Sequence, residues 1–259
     1  MPDPEPTPEP EPTTYTIAFD ANGGKWATGA VQTPVQTNPD GTVTLPAAPV
    51  YGDPEHPPYI NTASLGAVMQ WEERPDFNGL KFFGWYDAPT GGNEIKETTQ
   101  FTGSKTVYAH WDGWFIDQGT NTLVVAGSAA VGPYDVSRFQ DISSPHGDIF
   151  HSSAPWGVAM IYRTVKNIQI IGDVTEIGKY AFLGGNDLLN SADSYPSIPA
   201  SVSMPASVAR IGDNVFKGCP LNTINFDGTQ AQWNAMYRGS DSIPANVTVK
   251  CTDGDLTPP

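Results

Sequence analysis

Two stretches of this chain, VTEIGKYAF (174–182) and VARIGDNVF (208–216), carry apolar residues at the same positions. Val174 matches Val208, Ile177 matches Ile211, Ala181 matches Val215 and Phe182 matches Phe216, always at an offset of 34. The dipeptide Ile177-Gly178 recurs as Ile211-Gly212. Upstream, Ile168-x-Ile170 aligns with Val202-x-Met204, and Ile224-x-Phe226 follows the latter at an offset of 22. A fixed internal period is the mark of stacked repeats. The natural unit is about 22 residues long, and the first copy carries an Asn/Asp/Ser-rich insertion over 184–197.

The chain before residue 111 follows a different rhythm. Tyr15, Ile17 and Phe19 alternate with smaller or polar residues, which predicts a half-buried strand, and Asp20-Ala-Asn22-Gly23-Gly24 predicts a turn after it. Thr42–Leu45, FFGWY (82–86) and TVYAHW (106–111) read as further strands. Between Thr62 and Glu73, Leu65, Val68, Met69 and Trp71 fall on helical spacing. After 111, GTNTLVVAG (119–127) and TVKNIQII (164–171) read as strands, with 128–155 mostly loop. Near the end, Thr229 and Gln232 form a capping-box pair opening a short helix whose Trp233, Met236 and Tyr237 share a face. The strand NVTVKC (246–251) then points Val247, Val249 and Cys251 one way.

Two resemblances attach to these residues. F-D-x-N-G-G (19–24), G-W-Y (84–86) and Y-A-x-W (108–111) resemble, in order, the Listeria–Bacteroides repeat, or internalin B-repeat. That resemblance implies a small β-grasp-like domain used serially on surface proteins. Val202, Met204, Val208, Ile211, Gly212, Val215, Phe216, Gly218 and Cys219 resemble the BspA-type leucine-rich repeat of bacterial surface proteins. The stretches 119–156 and 227–251 are similar to the caps of such arrays, and a repeat stack needs atypical units at its ends. The expected fold is therefore mainly β with minor α: a β-grasp-like small domain followed by a short capped leucine-rich repeat solenoid. The divisions are 1–14 as a Pro/acid-rich linker, 15–111, 112–252 and a tail at 253–259. Trp114 and Phe115 are expected at the junction.

Composition narrows the partners. Thirteen basic residues against 28 acidic ones leave a net charge of −15, which disfavours nucleic acid and anionic membrane surfaces. No apolar run is long enough to span a bilayer, and no signal or anchor segment is read in this sequence. PDPEPTPEPEPT (2–13) alternates Pro with acids and reads as a disordered or extended linker outside the fold, either a plain tail or a stiff spacer.

Chemistry is sparse. Trp85, Tyr86 and Trp111 read as packing residues, and Asp20 and Asn22 as turn formers rather than calcium ligands. His146 and His151, with Asp148 between them, lack the further ligands of a metal site. Cys219 and Cys251 either pair or remain two buried thiols. No nucleophile motif, phosphate loop or dinucleotide fingerprint is present. No catalytic, cofactor-binding or metal-binding residue is assigned, and no enzyme is expected. The resemblances imply an extracellular or cell-surface bacterial module, monomeric, binding a protein or glycan ligand, host extracellular matrix included. Rival expectations are a structural spacer in a larger surface protein and an accessory domain of a carbohydrate-active enzyme.

Overall fold

The computed structural model describes residues 14–51, 80–117, 119–140, 148–157, 165–184 and 199–257. The chain is mainly β with little helix. It divides into two compact units. One is built from residues up to Pro49 with Gly84–Ala109; the other runs from His110 onward and takes in Val50, Tyr51 and Leu80–Phe83. The predicted linker at 2–13, the helix over 62–73 and all but the first residue of the insertion at 184–197 lie outside the described residues.

In the first unit, β1 (Thr16–Asp20) pairs antiparallel with β2 (Gln32–Gln36) and parallel with the start of β5 (Lys105–Asp117). β3 (Leu80–Tyr86) pairs with β4 (Glu94–Ile95) and with β5, so the strand order is β2-β1-β5-β3-β4. Alternation along β1 buries Ile17 and Phe19 completely. Phe19 meets Trp85 edge to face at 4.9 Å, and Trp26 stacks on the same indole at 5.9 Å. Asn22 (φ 46°) and Gly23 (φ 91°) turn the chain after β1. The Asn22 amide N–H donates to Asp20 Oδ1, and its side chain donates to Ala109 O.

Two expectations for this unit fail. Thr42–Leu45 is not a strand, although Val43 is buried. The Thr42 backbone is used up in a turn: its N–H donates to Asp40 Oδ1 and its carbonyl accepts from Asn38 N–H. β2 was not foreseen, because Gln32–Gln36 is polar and contains Pro34. It is the outermost strand of its order, where a missing N–H is tolerated.

In the second unit, β6 (Thr122–Gly127), β10 (Asn167–Gly172), β12 (Ser201–Met204), β14 (Thr223–Phe226) and β16 (Thr248–Cys251) lie side by side, all parallel. The register puts Leu123, Ile168, Val202, Ile224 and Val249 in one buried row. The end of β5 pairs antiparallel with β6, and β17 (Gly254–Leu256) does so with β16. A second parallel set joins β7 (Ala130–Val131), β11 (Glu176–Ile177), β13 (Arg210–Ile211) and β15 (Tyr237–Arg238). Four successive circuits of chain thus contribute one strand to each set, with β16 a fifth member of the first, and β10, β12 and β14 follow the offsets of 34 and 22.

Between the sets runs a column of rings. Trp156 stacks on Phe182 at 5.5 Å with 20° between planes, and Phe182 on Phe216 at 5.5 Å with 5°. Both phenylalanines have no exposed surface, and their core cluster draws its members from this unit alone. The recurrent glycine has a separate cause. The Gly178 N–H donates to Val131 O, Gly212 to Ile177 O and Gly239 to Ile211 O, so each sits hard against the preceding circuit. A Cβ on Gly212 would lie 2.7 Å from the Lys179 amide nitrogen, closer than packing allows.

Four local expectations are corrected here. Residues 128–155, expected to be mostly loop, contain an antiparallel pair, β8 (Val136–Gln140) with β9 (Asp148–Ser152), whose few apolar residues do not alternate and so give no strand signal. The helix α1 (Gln230–Ala235) has its capping box, but Tyr237 falls beyond it in β15 and is half exposed. Asp213, which the repeat alignment places with Lys179 among the residues expected to face water, is only partly exposed, because its carboxylate accepts the Ser240 N–H of the next circuit. Trp114 is buried within the second unit's own core, edge to face with Trp156 at 6.0 Å.

Candidate binding surface

Inward alternation on the parallel strands dictates what they show on the other side. Apart from Ile171 at the end of β10, the outward positions on β10, β12 and β14 are Asn167, Gln169, Ser201, Ser203, Thr223 and Asn225, none of them charged. Strand spacing sets these rungs about 4.8 Å apart. The side chains are short enough to bond along the rows: Ser201 Oγ donates to Asn167 Oδ1 at 2.7 Å, and Asn225 Nδ2 donates to Ser203 Oγ at 3.3 Å. Lys250 on β16 is the first charge reached on one side, opposite Asp255 of β17. On the other side, Phe115 faces Val124 across β5 and β6. Tyr51 lies 5.7 Å from the Phe115 ring and 5.2 Å from that of Trp111. The result is a level strip of amides and hydroxyls with an aromatic margin.

The second strand set presents a different ladder. Glu176 and Arg210 pair at 3.3 Å, and the Arg210 guanidinium lies 4.0 Å from the centre of the Tyr237 ring. These are exposed contacts that neaten the stack and contribute little to stability.

A cavity of about 250 Å³ opens where β5, β6 and β7 meet the Pro155-Trp156 turn. Its walls include Trp114, Tyr134 and Trp156, and Asp112 and Ser128 stand exposed beside them. Tyr134 meets Trp156 edge to face at 5.5 Å, and burial raises its phenol above the usual range.

The remaining reactive groups are placed as follows. Cys219 and Cys251 are both free thiols. The Cys219 Sγ donates to Phe182 O at 3.0 Å, and burial pushes its thiol up to about 12. His110, 3% exposed, lies with Nδ1 2.9 Å from Asp173 Oδ2. An imidazole so enclosed clamps β5 to the turn after β10 rather than meeting a substrate. The pair is far apart in the chain, so no sequence motif could reveal it; the cavity likewise draws on separate segments. Trp85 and Trp111 are buried, and Tyr86 partly so. His146 is outside the described residues, and His151 lies on β9 opposite Ser137. Among the described residues no group of His, Cys, Asp or Glu is arranged to hold a metal ion. Nor is any described helix long and apolar enough to cross a membrane.

The chain is thus mainly β and divides into two compact units. More particularly, residues 15–53 and 61–110 match the family described as the Listeria-Bacteroides repeat domain. No curated protein and no solved structure matches the chain.

Proposed function

We propose that this chain is a non-enzymatic binding or adhesion module of a bacterial cell-surface or secreted protein. In this reading the first unit is a β-grasp-like Listeria–Bacteroides repeat, and the second a short BspA-type leucine-rich repeat solenoid with a cap at each end. The strand order β2-β1-β5-β3-β4, with β1 parallel to β5, supports the first assignment. The parallel rows at offsets of 34 and 22 and the repeated Ile-Gly support the second.

The observation that carries the functional reading is the uncharged strip on β10, β12 and β14. In a chain of net charge −15, six neighbouring outward positions without a charge form a surface that costs less to desolvate than a charged one and offers amides and hydroxyls for hydrogen bonds. Such a surface suits contact with a protein or glycan ligand outside the cell. The test is capture on immobilised extracellular-matrix glycoproteins and a glycan panel, comparing the wild type with Ser203→Arg/Asn225→Arg. Binding that falls at least about tenfold in the double variant supports this surface. Binding to no probe by either protein favours the spacer alternative, and undiminished binding by the variant removes the strip from the account.

A further inference from the structure

Residues 31–37, which contain β2, read V-Q-T-P-V-Q-T. The stretch has no charge and no glycine, and Val31, Thr33, Val35 and Thr37 are all β-branched. Uncharged, strand-favouring segments of about six or seven residues pair readily with copies of themselves, provided that they lack proline. Pro34, at the centre, is the one departure from that description.

The register shows where the proline acts. Thr37 N–H donates to Tyr15 O at 2.9 Å, and Ala21 N–H donates to Val31 O at 2.8 Å. Along an antiparallel strand, residues bonded to one neighbour alternate with residues whose peptide groups point the other way. Thr33 and Val35 therefore turn theirs to β1, while Gln32, Pro34 and Gln36 turn theirs to the free edge. Among the described residues no strand lies on that edge. Val31, Gln32, Pro34 and Gln36 are all exposed, Val31 at 63%. In the two larger sheets the other strands with an open side at the end of the order, β4, β7, β15 and β17, have two or three residues each, too short to template a partner. β2 has five and carries no charged side chain, the commoner guard of an edge.

We propose that the free edge of β2 is a pairing surface for a second copy of this chain, held shut by Pro34. Two copies related by a two-fold axis meet antiparallel, with position 34 opposite itself and 32 opposite 36. The central pair then needs the N–H of residue 34 from both strands. Proline supplies neither donor, and its ring stands where the hydrogen would be and holds the facing carbonyl away. Sliding the strands by two residues still sets each proline against a carbonyl of the other copy. Without the block, an added strand would extend the face on which Thr33 and Val35 lie opposite Phe19 and Ile17. The net charge of −15 on each copy opposes the encounter, and salt screens it. Pro34 thus keeps the edge single without a charge upon it, whatever the second unit binds.

Sedimentation velocity on the full chain in about 0.15 M salt tests this, comparing the wild type with Pro34→Thr and Pro34→Ala. Both variants restore the N–H at an exposed position, and both should melt as the wild type does when dilute. Pro34→Thr should self-associate with a dissociation constant about tenfold or more below that of the wild type, and Pro34→Ala less tightly, since alanine favours strands less. Hydrogen exchange locates the contact: the Gln32 and Gln36 amides should gain protection on association, while Thr33 and Val35, already turned to β1, keep theirs. Adding Gln32→Pro to Pro34→Thr returns a proline to the same edge and should restore the wild-type mass. The proposal is overturned if both single variants sediment as the wild type does, or if association leaves Gln32 and Gln36 unprotected. Association that Gln32→Pro leaves intact, or a wild type already paired through β2, overturns it too. Loss of the fold in both single variants would show that Pro34 shapes the strand instead of guarding it.

Discussion

At the scale of the residue, the Ile-Gly repeat and the buried thiol show what stacking requires. Gly178, Gly212 and Gly239 are not held in left-handed backbone conformations; they are small because the neighbouring circuit occupies the space a Cβ needs. Gly212→Ala pushes a methyl against the peptide bond between Gly178 and Lys179 and should cost about 1–3 kcal/mol, read as a lower melting temperature. Cys219 has a thiol held at about 12 against an ordinary 9.0, so the folded chain favours the neutral form. That contribution is complete below pH 9 and is lost as the pH climbs from 9 toward 12, since unfolding then releases a proton. Labelling with a thiol reagent near neutral pH should modify Cys251 in the native chain, and Cys219 only after denaturation. Cys219→Val should remove its share of the alkaline loss of stability. Rapid native labelling of Cys219 would mean that it is not enclosed as described.

Elements were legible in the sequence in proportion to how much of their pattern is apolar. Ile168, Ile170, Val202, Met204, Ile224 and Phe226 show strand alternation and repeat offset together, and their pairing follows. β2 was hidden because an outer strand needs no apolar face and can hold Pro34. Val43 misled because burial alone does not make a ladder. The helix α1 was announced by its cap: Gln232 N–H donates to Thr229 Oγ1, and the Gln232 side chain accepts from the Thr229 N–H. Tyr237 could not be excluded from that helix by spacing, since the chain leaves it at Met236 to join β13. Thr229→Ala should cost about 1 kcal/mol, measurable in chemical denaturation, and an unchanged midpoint would show the cap to be idle.

At the scale of the whole molecule, the candidate sites were the least legible part. The polar strip is a consequence of alternation and was implicit in the repeat. The cavity, and the clamp of His110 on Asp173, join segments whose nearness only folding creates. What unites the second unit is the column Trp156–Phe182–Phe216, since every circuit that offers a polar side chain outward is held by an apolar one inward. Phe216 is completely buried, and truncating such a residue typically costs about 3–5 kcal/mol from a total of about 5–15. Lys179 is exposed, with its ammonium 4.6 Å from the Tyr180 ring centre, and little depends on it. Hydrogen exchange on the full-length Phe216→Ala and Lys179→Ala variants tests this most directly. Protection should fall throughout β10, β12 and β14 in Phe216→Ala while β1 keeps its own, and Lys179→Ala should exchange as the wild type does. Wild-type protection of β12 and β14 in Phe216→Ala would contradict a second unit built on stacked repeats.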